Sequence, residues 1–257
     1  MTALRAVRAE WTKLRTVSST GWLLLGGIVA TVALGWAITG SLDRRECDAP
    51  CLLDPVKLSL AGVRLGQVAV VILAVLAVTA EYATRTIQPT LAAVPRRSLV
   101  VLGKLVVVVG LTVAAGALGV AGSYVAAGFG LRGTGFAAPA WSNDLDLRAA
   151  AGSTIYLGLV AALAAGLGLL IRDTAGSVTA ALALLYGAPV VASFVSDPRW
   201  EHRILRFSPM DAGLSIQATR NFAAEHIGPW AGIGVLSAYA GGALLLGLLL
   251  FALRDSR

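Results

Sequence analysis

The sequence predicts an all-α polytopic membrane protein: an N-terminal amphipathic interfacial helix plus six transmembrane helices, with both termini cytoplasmic. Three observations carry this prediction. First, only 14% of the 257 residues are charged and 57% are hydrophobic, with a mean hydropathy of +0.78, whereas soluble domains carry about 25% charged residues. Second, crossing a ~30 Å hydrocarbon layer takes roughly 20 apolar residues. Uncharged runs of that order occur at Thr16–Leu42, Leu105–Leu131, Ala149–Ile171, Thr174–Ser196 and Ile227–Leu253, and a shorter one, Leu65–Ala80, suffices if it starts near Leu60. Third, Arg5, Arg8, Lys13 and Arg15 precede the first run, where positive charge weighs most in holding a segment inside. Arg44 and Arg45 follow that run but are interspersed with Asp43, Glu46 and Asp48. Six spans leave little chain over, so residues 1–257 read as one transmembrane domain. Within it, 1–19 is the interfacial helix, 81–104 a cytoplasmic loop, and 197–228 an extracellular loop with short helices.

The first element places Leu4, Val7, Trp11 and Leu14 on one helical face, with basic residues over much of the remainder. A short basic amphipathic helix carrying a tryptophan is suited to the headgroup layer. A cleaved signal peptide is the alternative; the long charged region, Glu10 and the lack of a small-x-small site argue against it. The formal net charge of +7 is assigned to juxtamembrane Lys and Arg facing anionic lipid rather than to nucleic acid.

The first outer loop, Asp43–Lys57, holds both cysteines, Cys47 and Cys51. An oxidising outer face permits a small disulfide between them, and free thiols are the alternative. Metal binding by this pair is disfavoured, because a closed zinc site takes four ligands. Lys57 and Arg64 share a face at the outer entry of the second span, where snorkelling to the interface is the expected role and lining a polar cavity the alternative. The third span carries Ala115, Gly119 and Ser123 at four-residue spacing, and the last repeats the pattern with Gly234, Ala238 and Gly242. Such stripes let helix backbones approach closely, within the bundle or between subunits. Arg172 and Asp173 alone join the fourth and fifth spans, and Pro189 predicts a kink in the fifth. The outer segment Asp197–His226 contains both histidines, His202 and His226; with no metal-ligand spacing they read as lone surface side chains.

The uncharged runs hold no Asp, Glu, His, Lys or Arg. Ion-coupled carriers usually need ionisable groups inside the membrane, and intramembrane hydrolases need carboxylate or histidine clusters, so both classes are disfavoured. A P-loop requires phosphate-cradling glycines followed by Lys and Ser/Thr. Here Gly103-Lys104 is followed by Leu105, so the chain is not expected to hydrolyse ATP and any energy source must act through a cytoplasmic loop. Arg85, Arg96, Arg97 and Lys104 mark Glu81–Lys104 as that loop.

With its elements in this order, the chain resembles the membrane-spanning permease subunits of bacterial ABC-type exporters, the export-permease class, and especially their actinobacterial branch. EWTKLRTVSSTGW (Glu10–Trp22) is similar to the entry motif of that branch. LAVTAEYATRTIQPTLAAVPRRSLVVLGK, ending at Lys104, looks like its signature cytoplasmic loop. SPMDAG (Ser208–Gly213) and GPWAGIGVLSAYA (Gly228–Ala240) are similar to its outer-loop and last-span patterns, and LRDSR closes the chain as relatives close. The resemblance covers essentially the whole chain. It implies two such subunits, identical or different, side by side in the bacterial plasma membrane. Each would contact a separately encoded ATPase subunit that binds ATP and Mg, with no cofactor on this chain.

It also implies a short coupling helix at about Thr86–Val94, seated in a groove of the ATPase. The coupling residues would be Glu81, Tyr82, Arg85, Thr86, Ile87, Thr90, Leu91, Pro95, Arg96 and Arg97. The residues agree with that placement: Pro89 suits a first helical turn, Pro95 would end the helix, and the arginines would anchor it on anionic lipid or an acidic partner. Glu81 either braces the loop against a nearby arginine or is a solvated charge. The alternative function is a non-transporting anchor or sensor whose basic loop recruits a partner protein. The substrate is not legible: lipid-like molecules, drugs, peptides and polysaccharide precursors all suit an apolar path lined by Ser, Thr, Tyr and Trp.

Overall fold

A computed structural model describes residues 3–42, 53–83 and 97–254. Among them the chain is all helical, with ten α-helices: α1 (Ala3–Thr16), α2 (Ser18–Gly40), α3 (Pro55–Ser59), α4 (Val63–Ala83), α5 (Arg97–Gly130), α6 (Asp144–Ile171), α7 (Thr174–Ala192), α8 (Pro198–Phe207), α9 (Pro209–Leu214) and α10 (Pro229–Arg254). Short 3-10 turns at Ser215–Gln217 and Phe222–Ala224 lie between α9 and α10. Six helices are long and apolar enough to cross a membrane: α2, α4, α5, α6, α7 and α10.

α6 is the most buried of the six and α2 the least. α6 packs against α4, α5, α7 and α10, and its Tyr156, Leu157, Val160 and Leu163 form the centre of the core with Val71 and Val75 of α4 and Leu236 of α10. Lipid offers no hydrophobic drive for helix association, so close backbone approach has to supply the contact. At the α6–α10 crossing it does. A Cβ on Gly166 would stand 2.8 Å from the backbone of Ala243–Leu244, and one on Gly247 would stand 3.0 Å from the Gly166 carbonyl oxygen. The α2–α4 contact is tighter still: a Cβ on Gly62, in the elbow between α3 and α4, would lie 1.9 Å from the Thr31 carbonyl oxygen.

Several element boundaries differ from those read off the sequence. The charged residues at the start of α6 are part of the helix: the Asn143 side chain caps it by accepting from Leu145 N, and Asp144 and Asp146 occupy its first turn, where carboxylates complement the helix dipole. The turn between α6 and α7 closes with Arg172 in the left-handed region (φ 60°) and Asp173 capping Gly176 N. Pro189 lies inside α7. The stretch read as a loop over 81–104 is shorter. Glu81 and Tyr82 belong to the last turn of α4, and Arg97 to Lys104 form the first two turns of α5. Apolar residues at Leu99, Val100, Val101 and Leu102 let the helix run on through Lys104 once that charge has a partner. The coupling positions Arg85, Thr86, Ile87, Thr90, Leu91, Pro95 and Arg96 lie outside the described residues, as do Cys47 and Cys51.

Candidate functional site beneath the amino-terminal helix

α1 lies against α5, with lesser contact to α2. The face it buries is not centred on Trp11, which stays 47% exposed. Glu10 takes the central place: it is 4% exposed, with Leu14 packed against the core beside it. Glu10 Oε2 stands 3.3 Å from Lys104 Nζ, and Glu10 Oε1 accepts from Lys13 Nζ at 2.9 Å. Lys104 is itself 8% exposed and donates to the Ala77 carbonyl of α4 at 2.8 Å. One carboxylate and one ammonium thereby join α1, α4 and α5. A buried charge is costly unless paired and hydrogen-bonded, and here each meets both conditions. Neither Glu10 nor Lys104 stood out in the sequence as a partner of the other; the one available signal was a lone acid on a basic amphipathic helix.

The same junction borders a groove of about 490 Å³ between α1, α2, α4 and α5. Leu14, Leu23, Leu73 and Leu76 supply apolar walls, Thr16, Ser19 and Thr20 supply hydroxyls, and Glu10, Lys13 and Lys104 bring charge to it. The ends of α4 and α5 that flank residues 84–96 therefore meet the amino-terminal helix around a single cleft.

At the opposite end of the bundle, Asp54 gathers the loops. Its carboxylate caps α3 by accepting from Val56 N and Lys57 N at 3.1 Å each. It also accepts from Thr219 N at 2.5 Å, Thr219 Oγ1 at 2.8 Å and Arg220 N at 2.9 Å. Lys57 and Arg64, expected to snorkel, instead pair with carboxylates of the late loop: Lys57 with Glu225, and Arg64 Nη2 with Asp211 Oδ1 at 3.4 Å. The acids lie within reach and are largely shielded, so the cations turn onto protein. The two histidines are likewise not isolated: His202 Nδ1 and His226 Nδ1 are 3.0 Å apart. A second pocket, about 280 Å³, opens at this end beside Pro55, Asn143, Asp146 and Thr219.

Between the two ends the polar side chains are neutral. Gln67 is fully buried, accepts from the Tyr156 hydroxyl, and donates to Met210 Sδ at 3.0 Å. Gln217 Nε2 donates to Ser153 Oγ at 3.0 Å. A small gap between α2, α4, α5 and α6 measures about 20 Å³, room for about one water.

The two small-residue stripes fall on different surfaces. Ala115, Gly119 and Ser123 turn towards α2: a Cβ on Gly119 would rest 3.6 Å from Thr31, and Ser123 Oγ donates to the Thr31 carbonyl at 3.3 Å, while Ala115 lines the small gap. Gly234 and Ala238 are exposed and Gly242 half-buried, with nothing within 4 Å of a Cβ on either glycine. The inward seam of α10 is a different set: Gly232, Leu236, Ala240, Ala243 and Gly247. Among the described residues no group of three or more His, Cys, Asp or Glu is placed to hold a metal. No protein-family model matches the chain, and no curated protein matches it significantly.

Proposed function

We propose that the chain is the membrane-spanning permease subunit of an ATP-driven exporter of the ABC type, set in a bacterial plasma membrane with both termini in the cytoplasm. In this reading a separate ATPase subunit binds ATP and Mg and engages residues 81–104. A second permease subunit, identical or different, completes the path along the interface. The observation that carries the reading is the Glu10–Lys104 pair together with the bond from Lys104 to the Ala77 carbonyl. Residues 84–96 are bracketed by two apolar helices, α4 and α5, and this junction ties both to α1. A displacement of Thr86–Val94 by closing ATPases would therefore move α4, α5 and the amino-terminal helix as a unit relative to α2 and open or shut the groove against it. The four motifs in order, Glu10–Trp22, the loop ending at Lys104, Ser208–Gly213 and Gly228–Ala240, support the same reading.

The test is purification of the tagged chain from its native host in mild detergent, assayed for co-purifying ATPase activity. A loop variant carrying Arg96→Glu, Arg97→Glu and Leu91→Pro serves as the comparison. ATPase activity that follows wild type and is lost with the loop variant is the expected result. A well-folded wild-type protein that brings down no ATPase under several conditions would sink the permease reading and leave that of an anchor or sensor.

A further inference from the structure

The late loop holds a feature that transport does not call on. His202 lies on α8, whose start is set by Asp197 capping Arg199 N at 2.9 Å and by Pro198 in its first turn. His226 follows Glu225, which is held by its ion pair with Lys57 at the start of α3. Two separately anchored pieces of backbone thus present the chain's two histidines to each other. The rings meet edge to face, with centroids 5.0 Å apart and an interplanar angle of 75°. The same nitrogen of each ring, Nδ1, faces the other at 3.0 Å in a hydrogen bond that places a proton on one of the two; a metal ion bound by both would displace that proton to the other ring nitrogen or to solvent. The two nitrogens of a tetrahedral metal ion bonded at ~2.0–2.1 Å stand roughly 3.3 Å apart, so an opening of a few tenths of an ångström would seat one. His202 is exposed and His226 half-buried, leaving room for water at the remaining positions. The nearby Arg203 guanidinium is turned onto the Trp200 ring at 5.3 Å.

We propose that His202 and His226 form an open, exchangeable binding site for a divalent transition-metal ion, ligated by both Nδ1 atoms and completed by solvent. Imidazole nitrogen selects zinc, copper and nickel over calcium and magnesium, and Cu²⁺ binds such donors more tightly than Zn²⁺. The bound ion would staple α8 to the segment leading into α10, across the same loop that Lys57 and Asp54 hold from the other side. The proposal stands independently of the transport reading.

The experiment is isothermal titration of the full-length chain, in detergent and freed of any polyhistidine tag, with ZnSO₄ and separately with CuCl₂. Wild type is compared with His202→Ala, His226→Ala, and Cys47→Ser/Cys51→Ser, each checked for an unchanged elution profile. Saturable binding of one ion per chain, tighter for Cu²⁺, is expected in wild type and in the cysteine variant and is lost in both histidine variants. Binding that survives the histidine changes, or that disappears with the cysteines, overturns the proposal. The Cu²⁺ EPR spectrum of wild type gives a second measurement that no variant's folding can confound: nitrogen hyperfine structure from imidazole supports the site, and its absence refutes it.

Discussion

Glu10 has every reason to face water: it lies on a helix whose Arg8, Lys13 and Arg15 are exposed. Instead it is buried against Lys104, and the two charges depend on each other. Removing one partner of a buried pair typically costs about 3–5 kcal/mol, because the other is left uncompensated, whereas replacing both by apolar side chains is often close to neutral. Glu10→Ala and Lys104→Met are therefore each expected to lower stability by about 3 kcal/mol, and the double variant to recover most of that loss. Thermal unfolding in detergent followed by size-exclusion chromatography would read this; additive losses in the double variant would mean that the pair is not coupled. Asp54 works by the same logic with hydrogen bonds, since one carboxylate satisfies backbone donors at the start of α3 and in the segment after α9. Charge-assisted bonds of this kind are roughly twice as strong as neutral ones.

Helices of this chain look alike in composition but differ in what their small residues touch. Gly62 stands where any side chain would strike the Thr31 backbone, and Gly234 stands in open space. Gly62→Ala forces the α3–α4 elbow away from α2 and is expected to cost about 3 kcal/mol, the upper part of the range for overpacking. Gly234→Ala meets nothing and is expected to leave stability unchanged or slightly raised through better helix propensity. Equal effects of the two substitutions on the unfolding temperature would contradict the described packing. The glycine stripe on α10, together with exposed Leu245, Leu246 and Leu249, lies on an outward surface of the bundle, whereas the Ala115–Gly119–Ser123 stripe holds α5 to α2. Four-residue spacing alone cannot separate these cases, because a face favourable for close packing looks the same whichever helix arrives to use it.

The whole bundle has two unlike ends. One gathers α1, the start of α2, the end of α4 and the start of α5 around a charged cleft; the other gathers the 54, 131–143 and 197–228 regions around Asp54. In the proposed orientation the first end is cytoplasmic and reaches the ATPase. A membrane-impermeant maleimide distinguishes the two ends. In a Cys47→Ser/Cys51→Ser background, Arg206→Cys on α8 is expected to react in intact cells and Thr12→Cys on α1 only after lysis; both positions are exposed. The reverse pattern would place residues 84–96 away from the compartment that holds ATP, and the coupling proposal would fall with it.

Hydropathy is a local property of the chain, and so the number of spans, their approximate limits and the all-helical class could be read from residue order alone. The bilayer permits little else for long apolar runs, because every backbone polar group must find its partner within the segment. Where helices end was less legible: α5 runs through Lys104 because Glu10 and the Ala77 carbonyl meet its charge, and nothing near Lys104 in the sequence announces either partner. The pairs Glu10–Lys104, Lys57–Glu225 and His202–His226, and the Asp54 contacts to Thr219 and Arg220, join residues distant along the chain. They exist only because particular helices and loops meet in three dimensions. Sequence spacing decides what each segment can offer; the packing of one segment on another decides which offers are taken up.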